Sequence, residues 1–162
     1  LNVPHNSVML KTLRTNPVQL LKSWYIFFFQ LPWLPERLIL ASDAQLAART
    51  LTRTANPGSF TDEDLAIYRA AWQQPGAATG MLNWYRAIVQ QRPLSNPDPR
   101  VHVPTKILWG VHDVALTREM AAASLDYCDD GQLVWFENAT HWVQHDEPKR
   151  VNQHLIEFFS DR

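Results

Sequence analysis

Residues 103–116, "VPTKILWGVHDVAL", decide the architecture. At their centre "KILWG" (106–110) is a short apolar run between Pro104 and a polar turn, the pattern of a strand buried on both faces. "TREMAAASLDYC" (117–128) follows with helical spacing, then a second apolar run, "QLVWFE" (132–137), then an amphipathic segment, "EPKRVNQHLIEFFSD". Strand, helix, strand and helix joined by short connections predict a right-handed parallel α/β unit.

The strand ends carry the candidate chemistry. In a parallel α/β sheet, ligands and reactive groups gather outside the carboxyl ends of the strands. Asp113 lies in the loop leaving the first strand, and His141, in "NATHWVQHDEP", in the loop leaving the second. Neighbouring strands bring such a pair to one rim, where the carboxylate fixes the tautomer of the imidazole and stabilises its charged form. Spacing alone leaves a plainer alternative open: Asp113 caps the next helix and His141 fills a turn. His112 is expected to point away from Asp113. His141 and His145 are four apart, but no further ligands follow at metal-site spacing.

A nucleophile is missing. None of the seven serines stands in G-x-S-x-G, and Asp113 has Val111 and Ala115 where an elbow needs glycines. Cys128 ends a helix, away from the expected rim.

Outward from this unit, the first ninety residues read as almost all helix. Asn16 before Pro17 is a helix start, opening a segment that runs through "VQLLKSWYIFFF". Trp24 to Phe29 are apolar on every side and need cover on more than one face. "LPERLILASDAQLAARTLT" reads as two short helices, the second capped by Ser42 or Asp43. Thr61 with Asp64 forms a capping box ahead of "LAIYRAAW", a helix closed by Gly76, and "AATGMLNWYRAIVQQ" makes another helix. The linker "RPLSNPDPRVHVPT", with four prolines, closes the helical block.

Composition narrows the function classes. The 162 residues carry 15 basic and 16 acidic side chains, a net charge of -1, which gives no electrostatic case for nucleic acid or an anionic membrane. The longest apolar stretch, "SWYIFFFQLPWLP", has 13 residues and two internal or terminal prolines, too short for a bilayer. One cysteine, Cys128, forms no internal disulfide and suits the cytoplasm. The start, "LNVPHNSV", has neither the basic beginning nor the apolar core of a signal peptide.

"ILWGVHDVAL" with "ATHWVQHDEPKRVNQHLIEFF" resembles the C-terminal part of the α/β-hydrolase fold, particularly soluble epoxide hydrolases. Two motifs of the helical block sharpen the likeness. "WYIFFFQLP" resembles a cap motif with a tyrosine four residues before Phe-Gln, here Tyr25 before Phe29 and Gln30, and "GMLNWYRA" resembles the second cap motif, with Tyr85. The resemblance implies a partial fold: residues 1–12 as the end of a core strand leading into the cap, 13–95 as a helical cap, and 96–162 as the last part of the core.

It also implies roles. Tyr25 and Tyr85 hydrogen-bond the epoxide oxygen, His141 activates water, and Asp113 orients His141. Trp24, Phe27, Phe28, Phe29, Trp33, Trp84 and Trp142 provide an apolar substrate wall. The attacking aspartate and the oxyanion amides are expected upstream of Leu1, so the chain alone is expected to be inactive. The expected partners are a small apolar epoxide or related electrophile and the N-terminal half of the same fold, without which the exposed sheet edge favours aggregation. No cofactor is expected. The alternatives are a haloalkane or haloacid dehalogenase of the same superfamily, for which Trp24 and Trp84 are candidate halide donors, and a non-catalytic binding module on the hydrolase scaffold.

Overall fold

Two short, continuous apolar runs build the sheet. A computed structural model gives the fold over residues 1–90 and 98–160, so residues 92–97 of the expected linker lie outside the described residues. Strand β1 (Thr105–Gly110) pairs in parallel with β2 (Gly131–Phe136), from Thr105 opposite Gly131 to Gly110 opposite Phe136. Successive side chains of a strand face opposite sides, and here both sides are covered. Ile107 and Trp109 pack with Val8, Leu116, Met120 and Ala121, whereas Leu108 packs with Phe136, Ala139, Val143 and Val151.

The elements supplying those two faces are helices. Val8 comes from α1 (Asn6–Thr15), and Met120 and Ala121 from α7 (Glu119–Leu125), which packs against α1. Val143 comes from α8 (Val143–Asp146) and Val151 from α9 (Pro148–Ser160). The sheet is thus the middle layer of three, as expected for a parallel α/β unit. Trp109 and Phe136 are fully buried; burying an aromatic or aliphatic side chain of this size contributes about 1.5–3 kcal/mol.

The described chain folds as two compact units. One comprises Leu1–Lys22, Thr54–Asn56 and the described part of Pro97–Arg162, and contains the sheet. The other, all helical, comprises Ser23–Arg53 and the described part of Pro57–Asn96. In the helical unit, α3 (Trp24–Phe28), α4 (Leu34–Thr54, whose last residue belongs to the sheet unit), α5 (Asp62–Trp72) and α6 (Ala77–Gln90) follow in order.

Several sequence expectations change in detail. Asn16 does start α2 (Pro17–Lys22), its Oδ1 accepting from the N–H groups of Val18 and Gln19. That helix stops at Ser23, which is buried and takes a turn conformation before α3, so no single helix runs on to Phe29. Residues 1–5 are in no described strand, and Asn6–Thr15 is helical. The two helices read around Ser42 and Asp43 are present as the halves of α4, separated at Ala41–Ala44. Ser42, Asp43 and Ala44 all adopt positive φ there, a left-handed turn that costs non-glycine residues about 1 kcal/mol each. Thr61 and Asp64 form the expected capping box of α5, but the helix ends at Trp72, before Gly76. The helix expected over 117–128 is confined to Glu119–Leu125, and a short extra helix, α8, precedes α9. Among the described residues no helix is long and apolar enough to cross a membrane.

Candidate active site

The loop leaving β1 folds around its own acid. Asp113 is buried, and its Oδ1 accepts from the N–H groups of Ala115 and Leu116, at 2.7 and 2.9 Å. Gln19 of α2, fully buried, holds the next part of the loop. Its Nε2 donates to the carbonyl of Ala115 at 2.8 Å and its Oε1 accepts from the N–H of Thr117 at 2.9 Å. Every backbone group so bound fixes the direction in which Asp113 Oδ2 points.

Oδ2 faces His141, whose Nδ1 lies 2.8 Å away, so the ring's Nε2 is the nitrogen left for chemistry. Asp113 is thus hydrogen-bonded to an imidazole 28 residues later in the chain. Burial opposes ionisation of Asp113, but the hydrogen bond and charge of His141, the amide of Asn2 and the N–H of Leu116 together outweigh it. The carboxyl is held below the usual carboxylate range.

Two features bring His141 to this place. First, the backbone of Ala139 and Thr140 passes directly over Gly110: a Cβ there would lie 2.0 Å from the Thr140 carbonyl oxygen and 2.7 Å from that of Ala139. Only glycine allows the second loop to approach the end of β1 so closely. The approach is sealed by hydrogen bonds from Val111 N–H to Phe136 O and from His112 N–H to Ala139 O. Second, the residues flanking His141 are tied. Asp146 Oδ2 accepts from both the N–H and the hydroxyl of Thr140 at 2.6 Å, and Asp146 Oδ1 accepts from Asn56 N–H. Trp142 donates its indole N–H to Thr54 Oγ1 at 2.8 Å, and its ring stands perpendicular to that of His141.

The helical unit holds the phenols. Tyr25 of α3 and Tyr85 of α6 meet edge to face with ring centroids 5.6 Å apart, and Phe29 packs against both. Burial raises the Tyr85 phenol above its ordinary value, so it stays protonated and able to donate at neutral pH. The two helices are clamped together by polar groups. Arg86 donates to the carbonyls of Phe29 and Leu31 and pairs with Glu36 of α4 at 2.7 Å, while Gln30 Nε2 donates to the carbonyls of Ile26 and Tyr85.

No family model matches the chain. It is 37% identical over 162 residues to the AB hydrolase superfamily protein YfhM of Bacillus subtilis, covering 100% of this chain and 56% of that protein. It is 35% identical over 167 residues to human epoxide hydrolase 4, covering 99% of this chain and 46% of that protein. A solved epoxide hydrolase of the α/β-hydrolase superfamily, from metagenomes of hot environments, matches with a TM-score of 0.74 and 28% identity, covering 98% of this chain and 57% of that one. The chain is similar to α/β-hydrolases and is epoxide hydrolase-like. A Bacillus megaterium epoxide hydrolase solved with an inhibitor agrees in fold, with a TM-score of 0.77 at 22% identity over 97% of this chain and 57% of that one. The chain spans about half the length of the curated relatives it matches.

In this epoxide hydrolase-like chain the residues singled out by sequence fall into three groups. His141 and Asp113 are in contact in the sheet unit, and Tyr25, Tyr85, Phe28 and Phe29 form one aromatic cluster in the helical unit. Trp24 and Trp84 are exposed by 63% and 78%, and Trp33 and Phe27 are also exposed. Trp142 is half-buried beside His141, its N–H engaged by Thr54. The sequence reading missed other groups beside them: Asn2, Gln19, Gly110 and Asp146 in the sheet unit, and Arg86 in the helical unit. Of these only Gly110 left a signal, a glycine closing an apolar strand just before an acidic loop.

Proposed function

We propose that the chain supplies the electrophilic and water-activating parts of an epoxide hydrolase that opens epoxides to diols through a covalent aspartyl ester. The observation that carries the reading is the edge-to-face pair of Tyr25 and Tyr85 in one half-buried aromatic cluster. Two phenols at one place suit an oxygen that becomes an alkoxide as its ring opens.

In the first step a carboxylate from outside these 162 residues attacks an epoxide carbon, and the C–O bond electrons pass to the ring oxygen. Tyr25 and Tyr85 hydrogen-bond that oxygen, and one phenol gives it a proton. In the second step His141 Nε2 takes a proton from water while the hydroxide adds to the ester carbonyl carbon. Collapse expels the diol oxygen, which takes the proton from the imidazolium. The acid proton left on the regenerated carboxyl returns to the tyrosinate, so the net reaction adds one water. Asp113 keeps Nδ1 protonated and stabilises the imidazolium between these transfers. Neither step calls on a cofactor.

The substrate class follows from the cluster: a small apolar epoxide suits the rings of Phe28 and Phe29 beside the tyrosines. A cytoplasmic setting is the accompanying proposal, resting on the single Cys128. The test is to assay the full-length protein on styrene oxide and, separately, on a haloacid and a haloalkane. Tyr25→Phe and Tyr85→Phe are each expected to lower epoxide turnover by roughly 10²-fold or more. Halide release that survives both substitutions, with no epoxide turnover by the parent, identifies a dehalogenase instead. A parent inert towards every substrate identifies a binding module.

A further inference from the structure

Asn2 is 1% exposed and lies beside the end of β1, where its N–H donates to the Leu108 carbonyl at 3.1 Å. Its side chain touches three points of the site. Oδ1 accepts from Gly110 N–H at 2.8 Å, and Nδ2 donates to Asp113 Oδ2 at 2.7 Å and, less closely, to the Thr140 carbonyl at 3.4 Å. The orientation of this carboxamide is dictated by its partners: a carboxylate and a carbonyl can face only its NH₂, and an N–H only its oxygen. Its backbone φ of 42° falls in the left-handed region, which asparagine tolerates better than most residues.

The consequence lies at Asp113. With Ala115 and Leu116 on Oδ1 and His141 and Asn2 on Oδ2, the carboxylate accepts from four donors. Removing the Asn2 donor frees one lone pair on the oxygen that orients His141, and also releases Gly110 and Thr140, on either side of the contact between the two loops. We infer that Asn2 is a positioning residue of the water-activating pair, its amide pinning Asp113 Oδ2 against His141 Nδ1 and holding the loop that carries His141 to the same point. The inference rests on the reading of His141 as the base.

Among the described residues, Asp113 is in direct contact with the ring, and Asp146 of α8 reaches the loop through Thr140. Asn2→Asp keeps the size and the acceptor for Gly110 but sets a second carboxylate beside Asp113. In the full-length protein, the ring resonances of His141 are expected to titrate at higher pH in Asn2→Asp than in the parent, with the acid limb of the pH–rate profile moving the same way. Asn2→Ala is expected to slow hydrolysis of the ester roughly 10- to 100-fold, with KM little changed and ester formation retained. An unmoved ring titration in Asn2→Asp, together with ester hydrolysis in Asn2→Ala within twofold of the parent, overturns the inference.

Should both variants fail to fold, the parent decides: slow solvent exchange of the Asn2 amide protons and a nuclear Overhauser contact to the His141 Nδ1 proton support it, and their absence overturns it. The ring titration needs no substrate, so it judges Asn2 even where the parent turns over no epoxide.

Discussion

Gly110 and Thr140 are in backbone contact so close that no side chain fits between them: a Cβ on residue 110 would stand 2.0 Å from the Thr140 carbonyl oxygen. That approach sets the loop bearing His141 against the loop bearing Asp113. Gly110→Ala therefore has to push backbone, not a flexible side chain, out of the way. It is expected to destabilise the protein by about 2 kcal/mol or more and to lengthen the His141–Asp113 contact. Denaturant melts and the loss of a low-field Nδ1 proton resonance check both effects.

In the proposed reaction Asp113 acts on the ring of His141, with which it is in contact, rather than on the epoxide. Asp113→Asn keeps the shape but removes the charge and presents a donor or a neutral acceptor to Nδ1. Hydrolysis of the ester is expected to slow by about 10²–10⁴-fold while ester formation proceeds, so that the intermediate accumulates. Rapid-quench kinetics on an epoxide separate the two steps.

The same carboxylate makes stability depend on pH. Its folded-state affinity for a proton is weaker than in the unfolded chain. Below the ordinary carboxylate value of about 4, the unfolded chain therefore takes up a proton that the folded chain resists. The stabilisation is complete above that value and is lost as pH falls towards the lower folded value. Urea midpoints of the full-length protein between pH 7 and pH 3 are expected to fall more steeply for the parent than for Asp113→Asn.

In the helical unit, Arg86 joins α6 to the carbonyls that end α3 and to Glu36. Arg86→Met leaves two carbonyls and a mostly buried carboxylate without their cation, which is expected to cost about 2–4 kcal/mol. Because the clamp holds the helices of Tyr25 and Tyr85, ester formation is expected to fall more than ester hydrolysis. The reverse ordering of the two rates would contradict a link between the clamp and the tyrosines.

Much of this arrangement was legible in the sequence. The run "KILWG" could be read as a buried strand because both of its faces are covered, and "QLVWFE" as a second strand; a parallel pair then places Asp113 and His141 at one rim. The break at Ser23 was not legible, because Trp24–Phe29 is apolar all round and leaves no periodic stripe by which to see a helix end. Nor was α8, which has only four residues and gives no period at all. Asn2 and Gln19 were invisible for a different reason. A buried carboxamide looks in sequence like a surface one, and its meaning comes from partners 111 and 98 residues away. The tyrosine pair was found by resemblance rather than by physics, since no local pattern distinguishes a phenol that donates to substrate from one that merely packs.

The most direct measurement is intact-protein mass spectrometry on the full-length protein carrying His141→Gln, mixed with an excess of styrene oxide. If His141 activates the water that cleaves an ester, the variant gains the mass of one epoxide and holds it for many parent turnover times. A variant that stays at its native mass, or that continues to release diol at the parent's rate, contradicts the account.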